Sequence, residues 1–133
     1  MGTAVGAGAL NRLGLVAWYD GQSFQTTTHP EYEGRQVCYS LLWYLPDIDA
    51  DDAYIERIIK TNFGPMRLPT KERALVDYMR HLDIFELSYF VDGLHDYLEE
   101  FGPEELLKVA EHYGVREEMS KWIHEDAGYE NYG

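Results

Sequence analysis

The sequence has 133 residues, of which 45% are hydrophobic and 14% aromatic, and its formal net charge at pH 7 is −13. This length and apolar content predict one domain with a hydrophobic core, and they exclude an intrinsically disordered chain. The negative charge argues against nucleic-acid binding by the chain as a whole, because phosphates repel an acidic surface.

The composition divides the chain into three parts. Residues 1–10 are rich in Gly and Ala but have no basic n-region of the kind that signal peptides carry, and we expect residues 1–12 to form a flexible leader. Residues 13–128 should form a single domain, which is strand-rich over 13–68 and helical over 70–127. Residues 129–133 are expected to be a loose tail.

Several β-prone runs occupy the first half of the domain. Asp20-Gly21 separates two of them and predicts a hairpin turn. A third strand is predicted over Gln36–Leu45, where both alternating faces are apolar. Residues 53–60 fit either a short amphipathic helix or a strand; we favour a strand, a turn at 62–65 and a second strand.

An acidic segment, Pro46–Asp52, contains four aspartates. A calcium-binding loop of the EF-hand type needs Gly at its sixth position and Glu at its twelfth. Counted from Asp47, these positions hold Asp52 and Ile58, so the calcium motif fails. The segment is instead predicted to be a solvated turn or the N-terminus of a helix, where acidic residues are favoured.

The clearest helix follows Pro69, which ends the extended segment before it. Thr70 is its predicted N-cap, with the hydroxyl accepting from a free N–H of the first turn. One face carries apolar residues at helical spacing: Leu75, Tyr78, Met79 and Leu82. The other side is expected to be exposed and carries Glu72, Arg73, Asp77 and Arg80. Arg73 and Asp77 have the spacing of an i,i+4 ion pair.

Three further short helices are predicted after this one. Asp83 and Glu86 have the spacing of a capping box at the start of the second helix. Gly93 lies within that helix, which indicates that another backbone packs closely there. Gly102-Pro103 separates the second and third helices. The predicted fold is therefore α+β, with a small antiparallel β-sheet from the N-terminal half packed against a bundle of about four short helices.

The segment Leu68–Asp77 has the sequence Leu-Pro-Thr-Lys-Glu-Arg-Ala-Leu-Val-Asp. Together with the short helices that follow, it resembles the C-terminal domain of the AbiEi family of antitoxins, which belong to abortive-infection (type IV) toxin–antitoxin systems. The resemblance covers about residues 36–126 and implies a β-sheet leading into a helical bundle. The residues that match the family segment are interpreted as structural: Pro69, Glu72, Arg73, Ala74, Leu75 and Asp77.

The resemblance also implies a partner and a function. Family members pair with a nucleotidyltransferase-like toxin encoded beside them and repress their own operon. They typically begin with a winged helix-turn-helix, for which the residues before Leu13 leave no room, so we do not expect DNA binding by this chain alone. We predict a non-enzymatic antitoxin-like domain that binds and restrains such a toxin. The alternative is a small adaptor or regulatory subunit that forms a homodimer through its aromatic surface.

Candidate partner-binding residues come from two features. Interface hot spots favour Tyr and Trp, which selects Tyr89, Tyr97 and Trp122. Residues 57–80 form a basic strip with six basic and two acidic side chains; three of its members complete the set, namely Arg67, Lys71 and Arg80. The acidic helical half would attract a basic partner.

The sequence does not suggest catalysis. The single cysteine, Cys38, lies in an apolar run that is typical of a buried, inert thiol, and it cannot form an intramolecular disulfide. The five histidines lack metal-ligand spacing. We therefore expect no catalytic residue, metal or cofactor. No apolar run approaches the roughly 20 residues of a membrane span, and we expect a cytoplasmic protein.

Overall fold

The computed structural model describes residues 1–17, 23–37, 40–61 and 64–125, and these ranges contain six strands and six α-helices. In chain order the elements are β1 (Gly2–Thr3), α1 (Gly6–Arg12), β2 (Ser23–Thr26), β3 (Gln36–Val37), β4 (Ser40–Trp43), α2 (Pro46–Asp49), β5 (Ile55–Thr61), β6 (Gly64–Pro69), α3 (Lys71–Arg80), α4 (Leu87–Phe101), α5 (Glu104–His112) and α6 (Arg116–Glu125). A short 3-10 helix covers Pro30–Tyr32. The predicted α+β class is confirmed, and α3 to α6 are four helices in the predicted half.

The strands form two three-stranded sheets, ordered β1-β6-β5 and β2-β4-β3. Each sheet is mixed, because β1 runs parallel to β6 and β2 runs parallel to β4. A bridge between Ala4 and Gln25 connects the two sheets. The prediction of one small antiparallel sheet is thus wrong in detail, since parallel pairs join segments that are far apart in sequence and leave no local signal.

Residues 1–12 are part of the fold, so the prediction of a flexible leader is wrong. They contribute β1 and α1, and four of their apolar side chains lie in the main hydrophobic core: Ala4, Val5, Ala9 and Leu10. Gly6 has a φ of 61°, and a Cβ added there would lie 2.9 Å from the Phe24 ring. The small residues of this segment therefore allow close packing of α1 rather than mobility.

The remaining strand predictions have different outcomes. The two strands favoured over 53–68 are confirmed as the antiparallel pair β5–β6, with Thr61 paired to Gly64. The predicted turn at 62–65 is not confirmed, because residues 64 and 65 belong to β6 and residues 62 and 63 lie outside the described residues. The run Gln36–Leu45 is two short antiparallel strands rather than one, and Cys38 lies outside the described residues. The Asp20-Gly21 turn also lies outside them, as do residues 126–133 with the predicted tail.

Helix α3 packs against α1, α4 and α5, and its start follows the prediction. The backbone N–H of Arg73 donates to the Thr70 hydroxyl at 3.3 Å, which confirms the N-cap. The capping box at α4 does not form, because Asp83 lies in a turn and the N-cap Glu86 makes no side-chain cap bond. The buried hydroxyl of Tyr78 donates to the backbone carbonyl of Glu86 and holds this turn instead.

Gly93 lies in the middle of α4, where close packing was predicted. A Cβ added there would come within 3.2 Å of Leu10 and 3.3 Å of Val16, so the glycine makes room for side chains near α1. Close packing is confirmed, although the neighbours closest to the added Cβ are side chains rather than another backbone.

Candidate functional site

A buried polar cluster joins the acidic segment to helix α3, with Arg73 at its centre. The residue is fully buried, and its Nε donates to Asp77 Oδ2 at 3.2 Å. Its Nη1 donates to the carbonyl oxygens of Asp51 and Ala53 at 2.8 and 2.6 Å, and its Nη2 donates to that of Ile48 at 3.0 Å. These carbonyls lie at and just beyond the end of α2, where helix geometry leaves acceptors unpaired. Arg73 therefore fastens α2 to α3.

The placement of Arg73 and Asp77 on an exposed helix face is wrong, because both side chains are buried. The predicted i,i+4 spacing does produce the ion pair. Helical periodicity identifies the apolar stripe but cannot tell a solvated polar face from one that a distant segment covers. Here the turn after α2 covers it.

Burial raises the pKa of Asp77 to about 6, and the nearby Arg73 guanidinium opposes this rise. The cause is the cost of ionising a carboxyl group that is removed from water. Asp77 is thus a titratable group in the interior, and its pair with Arg73 links the stability of α3 to pH.

Each aspartate of the acidic segment has its own partners in the fold. Asp47 Oδ2 lies 3.0 Å from His81 Nε2 and 3.6 Å from an Arg80 nitrogen. Asp51 accepts from the Tyr113 hydroxyl at 2.7 Å and from the Ala53 N–H at 2.8 Å. Partial burial acts against ionisation, but these hydrogen bonds and Arg73 lower the pKa of Asp51. The segment is a turn with one short helix, as predicted.

Arg67 occupies a second polar cluster between the first sheet and the acidic segment. Its Nη1 lies 2.8 Å from Asp52 Oδ1, and its Nε donates to the Thr3 hydroxyl at 3.0 Å. Its Nη2 donates to the backbone carbonyls of Met1 and Asp49 at 2.9 and 2.6 Å. Because these donors already have internal acceptors, Arg67 serves the fold and is a poor candidate for partner binding.

The predicted aromatic anchors separate into core and surface. Tyr97 is 1% exposed and its hydroxyl donates to Glu72 Oε2 at 2.6 Å, so its assignment as an interface anchor is wrong. Burial and the Glu72 hydrogen bond raise the pKa of the Tyr97 hydroxyl. Trp122 is half-buried, with its ring edge against Phe90 at a centroid distance of 5.3 Å. Its packing leaves only part of the ring for a partner.

The remaining two basic candidates lie over aromatic rings. Lys71 Nζ is 5.5 Å from the centroid of Phe101, an exposed ring at the end of α4. The Arg80 guanidinium is 5.5 Å from the centroid of Tyr113. Cation–π contacts of this length are weakly stabilising at exposed sites. The structure does not bring Arg67, Lys71 and Arg80 together into one basic surface patch through any contact among the described residues.

The structure reveals a cavity lined by aromatic rings, which we call the aromatic cavity. It has a volume of about 250 Å³. Five rings line it: Phe24, Trp43, Tyr78, Phe85 and Tyr89. Trp43 packs edge-on against Phe24 and Phe85, with centroid distances of 6.2 and 5.5 Å. Sequence reasoning singled out Tyr89 alone, because the five rings come from separate elements and only the high aromatic content hinted at such a site.

Trp43, one of the residues that line the aromatic cavity, has a buried hydrogen-bond donor. The indole nitrogen of Trp43 is inaccessible to solvent and has no hydrogen-bond acceptor among the described residues. Buried indole N–H groups usually have a partner.

The exposed sides of α4, α5 and α6 form what we call the acidic helical surface. These helices carry ten acidic residues and only three lysines or arginines. All ten acidic residues are exposed: Asp92, Asp96, Glu99, Glu100, Glu104, Glu105, Glu111, Glu117, Glu118 and Glu125. Three of them form ion pairs with residues of these same helices, at 3.0 to 3.8 Å: His95–Glu99, Lys108–Glu105 and Arg116–Glu111.

The part of the chain that the structure describes holds no group of three or more His, Cys, Asp or Glu side chains placed to bind a metal ion. None of its helices combines the length and the apolar character needed to cross a bilayer. Comparison with models of known protein families and with curated proteins finds no match to this chain.

Proposed function

We propose that this chain is a non-enzymatic, antitoxin-like domain of the cytoplasm that binds and restrains a basic partner protein. The resemblance of Leu68–Asp77 to the AbiEi segment supports a nucleotidyltransferase-like toxin as that partner. The observation that carries the proposal is the acidic helical surface, which leaves ten carboxylates exposed on three successive helices.

The exposed carboxylates of this surface differ from the acidic side chains that are paired within the fold. Asp49, Asp51 and Asp77 form internal hydrogen bonds and ion pairs that stabilise the fold. The carboxylates of α4 to α6 instead point outward, and a single-sign surface of this kind acts at a distance on a charged partner. It raises the rate of association with a basic protein and selects against acidic ones.

The matching residues of the AbiEi-like segment support the same proposal from within. Arg73 and Asp77 position α3 against α2, and α3 in turn packs against α4 and α5. In this proposal, Arg73 and Asp77 have a structural role, because they help to position the helix against which two of the acidic helices pack.

Co-expression with the product of the adjacent gene tests the proposal. If that product arrests growth, the wild-type chain should restore growth. A triple variant of the acidic helical surface, Glu100→Gln, Glu117→Gln and Glu118→Gln, should restore it less well. The matched control removes three exposed glutamates elsewhere, with Glu31→Gln, Glu33→Gln and Glu56→Gln, and should behave as the wild type.

Two outcomes would contradict the proposal. Growth arrest that the wild-type chain does not relieve would remove the antitoxin function. Equal rescue by both triple variants would show that the acidic helical surface is not where the partner binds. A homodimer in solution together with no effect on any neighbouring product would favour the adaptor alternative.

A further inference from the structure

Strand β5 forms the outer edge of the first sheet. It pairs with β6 on one side, and no strand among the described residues pairs with its other side, which we call the β5 edge. With seven residues, β5 is also the longest strand in the described part of the chain. A long exposed edge offers a row of backbone groups to which a further strand can bind.

The backbone groups of two residues point toward the β5 edge. Lys60 lies opposite Pro65 in the β5–β6 ladder, and proline has no N–H to donate. Opposite residues of an antiparallel pair exchange both of their hydrogen bonds or neither, and the two kinds of pair alternate along the ladder. Because the register is regular from Arg57 to Thr61, Lys60 and Ile58 direct their N–H and C=O groups away from β6.

The side chains along the β5 edge are exposed. Ile58 is 58% exposed, the largest exposure among the exposed large hydrophobic residues of the described chain. Glu56 and Lys60, which lie two positions before and after it, are exposed as well. Neither forms an ion pair or a side-chain hydrogen bond within the part of the chain that the structure describes. Their charges are therefore available to a strand that joins this edge.

The sequence of β5 is complementary to itself in one arrangement. When a second copy of β5 runs antiparallel with its Ile58 opposite Ile58 of the first, each Glu56 lies opposite Lys60 of the other copy. Arg57 then lies opposite Ile59, whose half-buried side chain the arginine stem can cover. A parallel pair in the same register would instead place like charges opposite one another, which is destabilising. The charges thus select an antiparallel pair with twofold symmetry.

Strand β5 also differs in charge from the chain as a whole. The net charge of −13 makes two copies repel one another. Strand β5 carries two basic residues, Arg57 and Lys60, and one acidic residue, Glu56, so its own net charge is +1. A contact between two β5 strands therefore avoids bringing acidic surfaces together at the point of contact.

We infer that a second copy of this chain docks on the β5 edge, so that two β5 strands pair antiparallel about Ile58 and the two first sheets join into one sheet of six strands. Backbone hydrogen bonds at Ile58 and Lys60 hold the strands together, and the two Glu56–Lys60 pairs fix their register. The inference does not rest on the proposed function, because β5 is not part of the acidic helical surface. A dimer of this kind still offers one acidic helical surface per copy.

Analytical ultracentrifugation of the full chain tests the inference, over a concentration series that reaches about 1 mM at physiological ionic strength. We expect a monomer–dimer equilibrium. Glu56→Lys and Lys60→Glu each turn both cross-strand attractions into repulsions, and each should weaken the dimer by about tenfold or more. Combining Glu56→Lys with Lys60→Glu restores opposite charges across the pair and should return the affinity close to that of the wild type.

The series separates local pairing from net charge. Glu56→Lys lowers the negative charge of the chain and Lys60→Glu raises it, so weakening by both changes does not come from repulsion between whole molecules. Glu33→Lys is the matched control, since it makes the same charge change as Glu56→Lys at an exposed position outside the strands. It should not weaken the dimer. Circular dichroism of each variant shows whether the fold is retained.

Cross-linking measures the register independently. Ile58→Cys, in a Cys38→Ser background, should form an intermolecular disulfide with oxidised glutathione. Residues directly opposite one another in such a pair have Cα atoms about 5.5 Å apart, which a disulfide can span. Lys60→Cys in the same background should not cross-link, because the two Lys60 positions would be separated by about 14 Å along the strands.

Three outcomes would overturn the inference. A wild type that stays monomeric throughout the series would assign Glu56, Arg57 and Lys60 to protection of the edge against association. A dimer that the single charge changes do not weaken, or that the double variant does not restore, would pair elsewhere or in another register. A monomeric chain whose complex with the product of the adjacent gene is weakened by Lys60→Glu would give the β5 edge to a strand of that product.

Discussion

The Nε of Arg73 lies 3.2 Å from Oδ2 of Asp77, and the two side chains form an ion pair in the interior. Arg73 is fully buried and Asp77 is 3% exposed. The guanidinium also donates to three backbone carbonyls around the end of α2. The pair thus stabilises the connection between the acidic segment and α3, and its charges are satisfied only when both elements are in place.

Removing one partner of this pair should strongly destabilise the protein. Asp77→Ala would leave the Arg73 charge buried and uncompensated, which typically costs about 3 to 5 kcal/mol. The free energy of unfolding, measured in urea, gives the loss. Asp92→Ala, at an exposed position on α4, is the matched control and should change it by less than about 0.5 kcal/mol. A similarly small loss for Asp77→Ala would contradict the buried pair.

The stability should depend on the ionisation of Asp77. Its pKa of about 6 in the folded state lies above the value of about 3.9 for an exposed aspartate. The folded chain therefore binds this proton more tightly than the unfolded chain does. The stabilisation that results from this tighter binding is complete at low pH and is lost as the pH rises through 6. Asp77→Asn cannot titrate, and the stability of the wild type relative to it should fall between pH 4 and pH 7.

Urea unfolding of both proteins across this range measures the difference directly. A relative stability that rises with pH would mean that the attraction of Arg73 outweighs burial and lowers the pKa of Asp77. Thermal unfolding of the wild type and of Asp77→Asn provides an independent measurement of whether this stability difference falls or rises with pH.

The N-cap of α3 should have a measurable effect. The Thr70 hydroxyl accepts from the backbone N–H of Arg73, and replacement of such a cap by alanine costs about 1 kcal/mol. Thr70→Ala should lower the free energy of unfolding by that amount. Thr70→Ser keeps the hydroxyl and should retain most of the stabilisation by the cap. The same loss in both variants would indicate that the methyl group, rather than the hydroxyl, stabilises this position.

Tyr97 should affect stability but not partner binding. Tyr97→Phe removes the hydroxyl that donates to Glu72 at 2.6 Å and should cost about 0.5 to 1.5 kcal/mol. Because the residue is buried, affinity for the partner should not change once the variant is folded. A marked loss of affinity at unchanged fold would return Tyr97 to the set of binding residues.

The parts of the fold that depend on local sequence could be predicted. The Thr70 cap, the i,i+4 spacing of Arg73 and Asp77 and the β5–β6 hairpin each involve neighbours along the chain. The burial of Arg73 could not be predicted, since it depends on the carbonyl of Ile48, 25 residues away. The same limit applies to β1, whose Gly2 pairs with Met66.

The candidate site was largely hidden for the same reason. The rings of the aromatic cavity range from Phe24 to Tyr89 in sequence, and periodicity in any one element does not indicate that they meet. The acidic helical surface was predicted in part, because exposed charge on amphipathic helices follows from local pattern. Tyr97 was misassigned since a tyrosine on a helix can face the core when a polar partner such as Glu72 satisfies its hydroxyl.

Direct binding of a basic partner by the acidic helical surface is the central requirement of the proposed function. Isothermal titration calorimetry of the purified chain with the purified product of the adjacent gene measures this directly, at low and at physiological ionic strength. We predict a one-to-one complex that is tighter at low salt and is weakened by Glu100→Gln, Glu117→Gln and Glu118→Gln combined. The absence of binding at either ionic strength, or affinity that neither salt nor this triple variant changes, would contradict it.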